Sequence, residues 1–235
     1  MHPWALAALD LVFPALCPVC GALLAEGRRD PLCGGCWRSI VRLAPPCCER
    51  CGVPFVAGDV RVCGACAADP PPWDWARAGA EYDGVVRDAI HAFKFEGKRA
   101  LARPLAALVI DQWGDGLEGG PAVLVPVPLA SGREAERGFN QAGLLAEHLG
   151  AGLGLAVRPR WLARIRPTRA QSDLGAVERR ANVQGAFIAR PVVGGRQVIV
   201  VDDVLTTGAT AASCARALTA AGAARVGVLT VARVS

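Results

Sequence analysis

Lysine is scarce in this sequence: of its 26 basic residues only Lys94 and Lys98 are not arginine. Together with the abundance of alanine, this bias fits a GC-rich genome better than a need for planar phosphate recognition by guanidinium groups. Long uncharged apolar runs are missing too. A membrane span needs about 18 or more such residues in a row, so the mean hydropathy of +0.31 reflects alanine and valine spread along the chain, and no membrane insertion is expected. The opening stretch MHPWALAALDLVFPALC has no basic n-region, carries Asp10 within its apolar part and is followed by no small-x-small cleavage site. It reads as a short amphipathic helix packed on its neighbour, and a cytoplasmic location is the expectation. With 52% apolar, 20% charged and 6% aromatic residues, the chain is neither a disordered polyelectrolyte nor a collagen-like or coiled-coil rod. At 235 residues it suits one domain plus a small appendage.

Beyond residue 66 the only cysteine is Cys214; the other nine lie before it. That asymmetry draws a boundary. Residues 1–70 form the cysteine-rich part, the proline-rich linker 71–75 follows Pro70, and residues 76–235 form the larger domain. Charge divides similarly, with 6 Arg against 7 Asp and Glu up to residue 75, and 20 basic against 14 acidic residues after it. Beyond the linker, strand-like and helix-like patterns alternate: ARAGAEY, GVVRDAIHAFKF, ALARPLAALVIDQW, AVLVPVPL, a helix from about Phe139 to Leu149, a strand near Leu155 to Trp161, QVIVVDD, ATAASCARALTAAG and ARVGVLTVARV. This alternation predicts an α/β domain, a mostly parallel sheet flanked by helices, with its ligand site at the carboxyl ends of the strands.

The N-terminal cysteines form four CxxC pairs, Cys17/Cys20, Cys33/Cys36, Cys48/Cys51 and Cys63/Cys66, separated by 12, 11 and 11 residues. Each gap suits a hairpin, and each pair supplies two thiolates of a tetrahedral zinc site. The simplest pairing puts Cys17, Cys20, Cys33 and Cys36 on one Zn2+ and Cys48, Cys51, Cys63 and Cys66 on a second; a crossed pairing satisfies the same spacing. Cys47 is the spare thiol. Disulfides, a redox pair and an iron-sulfur cluster fit less well, because no targeting signal is evident and the two tetrads are regular. Four thiolates leave no open coordination position, so the expected role is structural. Large apolar side chains are few in residues 1–70, and metal binding is expected to supply most of that region's folding energy.

The segment VIVVDDVLTTGAT, Val198 to Thr210, is the most informative in the chain. A buried strand ends in Asp202 and Asp203 and turns through small residues into a helix. Thr206, Thr207, Gly208, Ala209 and Thr210 offer hydroxyls and closely spaced backbone N–H groups at a helix N-terminus, which favours a phosphate. The two carboxylates beside it suit vicinal ribose hydroxyls and the organisation of Mg2+. A phosphate at one end and a diol at the other describes a ribose 5-phosphate.

This pattern resembles the 5-phosphoribosyl-1-pyrophosphate (PRPP) signature of type I phosphoribosyltransferases, over about residues 76–235. VLVPVPLASGREAERGFNQA, Val123 to Ala142, and RPTRAQSDLGAVERRANVQGAF, Arg166 to Phe187, resemble more narrowly the ComF competence family, seen also in GntX-type proteins, whose members carry an N-terminal double zinc ribbon. The resemblance implies a type I phosphoribosyltransferase fold and a role in handling single-stranded DNA during natural transformation. It assigns Asp202 and Asp203 as catalytic groups if there is turnover, and places Arg133 and Arg137 in the loop that receives pyrophosphate. Residues 158–180 hold seven arginines against Asp173 and Glu178, and resemble the family's flexible catalytic loop. Arg166, Arg169, Arg179 and Arg180 are expected to form a lid or, with Lys94, Lys98 and Arg99, a nucleic-acid surface on which Phe93 or Phe95 stacks bases. PRPP or another ribose-phosphate, single-stranded DNA and a competence helicase are the partners implied. A phosphoribosyltransferase of unknown acceptor and a PRPP-sensing regulator without turnover remain open as alternatives.

Overall fold

Two very short helices each begin directly after a cysteine held in extended conformation: α1 (Gly34–Arg38) after Cys33 and α2 (Gly64–Ala68) after Cys63. They belong to a computed structural model that describes residues 15–24, 31–55, 61–117, 121–166 and 176–234, to which the structural statements below refer. The expected N-terminal helix lies largely outside these residues, and Arg169 lies wholly outside them. From Trp75 onward the order is β1 (Trp75–Glu81), α3 (Gly84–Phe95), α4 (Ala102–Trp113), β2 (Ala122–Pro126), α5 (Ser131–Arg137), α6 (Gln141–Leu153), β3 (Ala156–Val157), β4 (Leu162–Arg164), α7 (Ala176–Val183), β5 (Phe187–Ala189), β6 (Gln197–Leu205), α8 (Ala209–Ala220) and β7 (Arg225–Arg233).

Five strands form one all-parallel sheet in the order β1-β7-β6-β2-β3, while β4 and β5 pair antiparallel apart from it. A parallel sheet is covered on both faces, so its central strands read as unbroken apolar runs; Val198 to Val201 are all buried. One face carries Phe93, Leu105, Leu108, Leu145 and Leu149 from α3, α4 and α6. The other carries Cys214 and Leu218 from α8 with Val183 and Phe187. Each such large side chain contributes about 1.5–3 kcal/mol by leaving water, so the two layers hold the sheet between them.

The connections create the cleft. From β2 the chain passes through α6 to β3 on one side of the sheet order, whereas from β6 it passes through α8 to β7 on the other. A crevice opens at the carboxyl ends of strands where the winding direction divides, here between β2 and β6. Its depth follows from unequal strand ends: β2 pairs with β6 only as far as Pro126 opposite Val201, but β6 and β7 continue to Leu205 opposite Arg233.

Three local expectations are corrected. Asn140 caps α6 by accepting a hydrogen bond from the Gly143 N–H, so the helix starts at Gln141, and Phe139 turns inward against Phe93 with ring centroids 5.5 Å apart. The expected strand to Trp161 is only two residues long, because Pro159 opens a 3-10 turn and the following residues pair with β5 instead of the main sheet. The stretch after the VPVP strand is a two-turn helix, α5, and not a loop.

The cysteine-rich part is built into the larger domain. Leu43 donates its N–H to Gly79 O and Glu81 donates to Val41 O, so residues 41–43 lie antiparallel along the outer edge of β1. Cys17, Leu32, Cys36 and Ile40 join the same core as α3 and α4. Among the described residues of this part, these four are therefore buried against the domain, whereas Leu16, Leu23 and Val41 stay exposed.

Candidate functional site

The eight paired cysteines gather into two sets, Cys17, Cys20, Cys33 and Cys36, then Cys48, Cys51, Cys63 and Cys66, with all sulfur atoms of a set within 4.8 Å of one another. The pairing is sequential, and Cys47 belongs to neither set. None of the ten cysteines is disulfide-bonded. Contacts of 3.8 Å for Cys17–Cys36, 3.5 Å for Cys20–Cys33 and 3.7 Å for Cys51–Cys63 match the edge of a tetrahedron with Zn–S bonds of about 2.3 Å. Burial opposes ionisation of Cys17 and Cys48, but backbone N–H groups of the knuckles outweigh it and bring both thiols down to about 6. Burial and the neighbouring sulfurs push Cys36 and Cys66 up. Thiols that ionise readily beside buried ones that resist it form an arrangement a dication resolves, by taking the proton's place. These are two structural zinc sites.

The cleft at the carboxyl end of the sheet encloses about 850 Å³ and is lined from α3, α5, the start of α6, β6 and the start of α8. Asp202 and Asp203 stand within β6, not beyond its end, because β7 continues to pair past them. Asp203 Oδ1 accepts a hydrogen bond from Lys94 Nζ at 2.7 Å, and both side chains are mostly buried. Asp202 Oδ1 accepts from the Asp203 N–H at 2.9 Å. Burial, and then the charge of Asp203, raise the Asp202 carboxyl to about 7, against the opposing pull of Lys94 and Arg164. Of the acid pair, Asp202 is therefore the member whose burial resists ionisation near neutral pH.

Beyond Leu205 the chain turns through exposed Thr206 and Thr207 into α8. Gly208 is the N-cap with φ +72°, a left-handed conformation that a side chain strains. The Thr207 hydroxyl accepts from the Ala209 N–H at 3.4 Å. Gly208, Ala209, Thr210 and Ala211, at the positive end of this twelve-residue helix, line the cleft. Arg133 and Arg137 of α5 line the same cavity. Burial lowers the Arg137 guanidinium, and the carboxylate of Asp203 works against that effect.

Lys94, Arg133, Arg137, Asp202, Asp203, Thr206, Gly208, Ala209 and Thr210 are thus brought together in one cavity. Thr207 lies on the other side of its turn, toward a second cavity under the proline-rich linker. Lys94, expected on a nucleic-acid or lid surface, is inside the cleft. Arg99 donates to Gly138 O at 2.7 Å and lies 4.7 Å over the Phe139 ring, so it fastens the start of α6 to the end of α3. Lys98 is exposed and does not line the cleft. Arg166 donates to Asn182 O and Gln184 O at 3.1 and 2.8 Å, closing the end of α7. Arg179 and Arg180 lie on α7. Of the two phenylalanines, Phe93 is fully buried and Phe95 is 61% exposed. Asn140, Gln141 and Arg164 line the cleft without having been singled out; the first two lie in the stretch RGFNQA, and Arg164 was counted only as one of seven arginines.

Residues 8–67 match the double zinc ribbon domain, and residues 135–235 match the phosphoribosyl transferase domain. The chain is 36% identical over 223 residues to the DNA utilization protein YhgH of Salmonella typhimurium, covering 93% of this chain and 96% of that protein. It is 33% identical over 191 residues to competence protein F of Haemophilus influenzae, covering 77% and 81%. The competence protein ComFC of Bacillus subtilis is 30% identical over 194 residues, covering 80% and 78%. With a double zinc ribbon, a phosphoribosyltransferase domain on a parallel sheet and relatives of this kind over most of its length, the chain belongs to the ComF competence family.

Proposed function

We propose that the cleft binds PRPP, or another ribose 5-phosphate, and that this binding serves the handling of single-stranded DNA. The observation that carries the reading is the sharing of one cavity by the N-terminus of α8 and the Asp202–Asp203 pair. Phosphate on the first supplies charge complementarity without any side-chain cation. Ribose hydroxyls donate to the carboxylates, and Asp203 is held in place by its 2.7 Å contact with Lys94. Arg133 and Arg137 stand across the cavity, where a diphosphate at the anomeric carbon calls for cations.

Asp202 and Asp203 offer the hard oxygen donors that Mg2+ takes. One oxygen of each acid is engaged, by Lys94 on Asp203 and by the Asp203 N–H on Asp202, and the second oxygen of each would hold the ion. Bound Mg2+ would supply neutralisation of diphosphate charge. If the domain turns PRPP over, its own residues contribute orientation: α8 fixes the phosphate, the acids fix the sugar, and the arginines stabilise the departing negative charge. Binding without turnover, as a sensor, uses the same contacts.

The DNA part of the reading is supported by the names of the relatives, a DNA utilization protein and two competence proteins. Calorimetric titration with PRPP and Mg2+ tests the cleft. Saturable binding that disappears in the Asp202→Asn, Asp203→Asn double variant is the expected result. An unchanged titration in that variant rejects the role given to the acids.

A further inference from the structure

The two zinc sites touch different faces of the sheet. Cys17 and Cys36 of the first belong to the core formed with α3, α4 and α6. The second site reaches the opposite face through Trp73, which shares a core with Leu205 and Ala209 at the turn into α8. Trp73 is 7% exposed and is anchored on two sides. Its indole N–H donates to Arg50 O, inside the Cys48–Cys51 knuckle, at 3.0 Å. The next residue, Asp74, is tied to β7: its N–H donates to Val226 O at 2.8 Å, and its Oδ2 accepts from the Val226 N–H at 2.8 Å. Between these anchors the six-membered ring lies on the N-cap of α8, with three of its atoms within 4 Å of the point where a Cβ of residue 208 would stand.

The knuckle is itself seated on the larger domain. Gly52, with φ +71°, closes it so near β1 that a Cβ there would lie 2.6 Å from Ala76 O. Arg233, which pairs with Leu205 across β7 and β6, donates to Cys51 O. What zinc adds is the shape of the knuckle. Four thiolates on one ion fix the turn from Cys48 to Cys51, and with it the direction of the Arg50 carbonyl. Without that carbonyl the indole keeps its place by packing alone, and the left-handed Gly208 loses a fixed neighbour. The N–H groups that follow Gly208 are those given to the phosphate, and hydrogen bonds weaken steeply as they bend. A cavity of about 990 Å³ is lined by Cys51 and Cys66 of the ribbon and by Thr206 and Thr207 of the turn, which gives the turn room to shift when the indole does.

We propose that Trp73 is a positioning residue through which the zinc site of Cys48, Cys51, Cys63 and Cys66 sets the affinity of the cleft for phosphate. With zinc in that site the N-cap of α8 is held in its binding shape; loss of that ion, unlike loss of the first, releases it. This coupling rests on the ribose-phosphate reading of the cleft and assigns its regulation. Linkage makes it reciprocal, so phosphate on α8 tightens the hold on the second zinc by the same factor.

Ribose 5-phosphate is titrated calorimetrically into the wild type, Cys48→Ser, Cys17→Ser, Trp73→Leu and the Cys48→Ser, Trp73→Leu double variant, with the zinc content of each measured. Cys48→Ser is expected to weaken binding by about 5- to 150-fold, the usual span of a coupling between two sites. Cys17→Ser lowers the melting temperature yet holds the ligand nearly as the wild type does. Trp73→Leu shows the loss with both ions in place, and Cys48→Ser adds little to it. Zinc release to a chelator needs no variant: in the wild type, saturating ribose 5-phosphate slows the departure of one ion and not of the other. Equal losses in the two cysteine variants, a full further loss when Cys48→Ser is added to Trp73→Leu, or release rates indifferent to ligand overturn the coupling. If the wild type binds no ribose 5-phosphate, the reading of the cleft falls and amide exchange decides the coupling by itself. The Ala212 N–H, bonded to Gly208 O at 2.8 Å, then exchanges faster in Cys48→Ser than in Cys17→Ser and the wild type; equal rates in all three overturn the hold of the zinc site on the turn.

Discussion

A side chain on residue 208 would collide with Trp73: a Cβ built on Gly208 lies 2.7 Å from Trp73 Cη2. The indole is itself fixed from the other side. Its N–H donates to Arg50 O at 3.0 Å, and Arg50 Nη1 donates back to Trp73 O at 3.3 Å. Arg77 donates to Glu49 O at 3.0 Å, and Arg233 donates to Cys51 O. Three consecutive carbonyls of the Cys48/Cys51 knuckle are therefore held by Trp73 of the linker and by Arg77 and Arg233 of the larger domain, and Trp73 also packs on the N-cap of α8.

Gly208→Ala is expected to weaken PRPP binding and to cost about 1–3 kcal/mol of stability, the scale of a side chain forced into a left-handed conformation, with the collision against Trp73 in addition. Trp73→Ala relieves the collision but not the backbone strain. In the double variant the loss should be smaller than the sum of the single losses, read by urea denaturation and calorimetry. Strict additivity would show that the two residues do not act on each other.

Elemental analysis should find two equivalents of zinc per chain, and Cys48→Ser should leave one. Chelation is expected to unfold the ribbons and also to lower the melting temperature of the larger domain, because Cys17, Cys36, Leu32 and Ile40 share its core. Separate melting of the two parts, with the domain transition unmoved by chelator, is the result that would contradict this.

Asp202 makes stability depend on pH in a direction unusual for a carboxylate. Its folded-state pKa is raised from 3.8 to about 7. Between these values the unfolded chain releases the proton that the folded one keeps, so stability is fully present below pH about 4 and is lost as pH rises toward and through 7. Asp202→Asn removes this slope and is expected to stabilise the unliganded protein at pH 8 by about 1 kcal/mol or more, which corresponds to roughly 2–4 °C per kcal/mol in a chain of this size. Melting curves from pH 4 to 8 check it; parallel profiles for wild type and variant would refute it.

Lys94→Met should destabilise the protein by about 2 kcal/mol or more, somewhat below the cost of breaking a fully buried pair because both groups keep a little solvent. Adding Asp203→Asn should restore most of that loss, since the uncompensated charge then disappears. Urea denaturation of the four proteins of this cycle gives the coupling directly; a double variant as unstable as the sum of its parts would mean that Lys94 stabilises by packing alone.

What the sequence revealed and what it hid divides by distance along the chain. The zinc tetrads were legible because each is assembled from neighbouring hairpins, and the phosphate turn because strand, glycine and helix start lie within thirteen residues. The contact of Lys94 was hidden because its partner, Asp203, is far away in sequence and a lysine between two phenylalanines looks like a surface feature. The acids were expected at the end of β6, yet the strand's true end is set by pairing with β7, which no pattern within β6 reports. Helical spacing required one of Phe93 and Phe95 to be core, but only the packing of Phe139 decides which. The hydrogen bonds of Arg166 to Asn182 O and Gln184 O join segments about 16 to 18 residues apart, which no local pattern reports.

The strip of residues 41–43 along β1 has a further consequence. An open sheet ordinarily ends in two rows of unsatisfied backbone groups that invite another chain to add a strand. Here residues 41–43 cover the Gly79–Glu81 end of one border, and the other border is β3, only two residues long. Both shorten the template for intermolecular strand addition, which guards against edge-to-edge aggregation. Such a sheet favours contact through side chains over extension by a further strand.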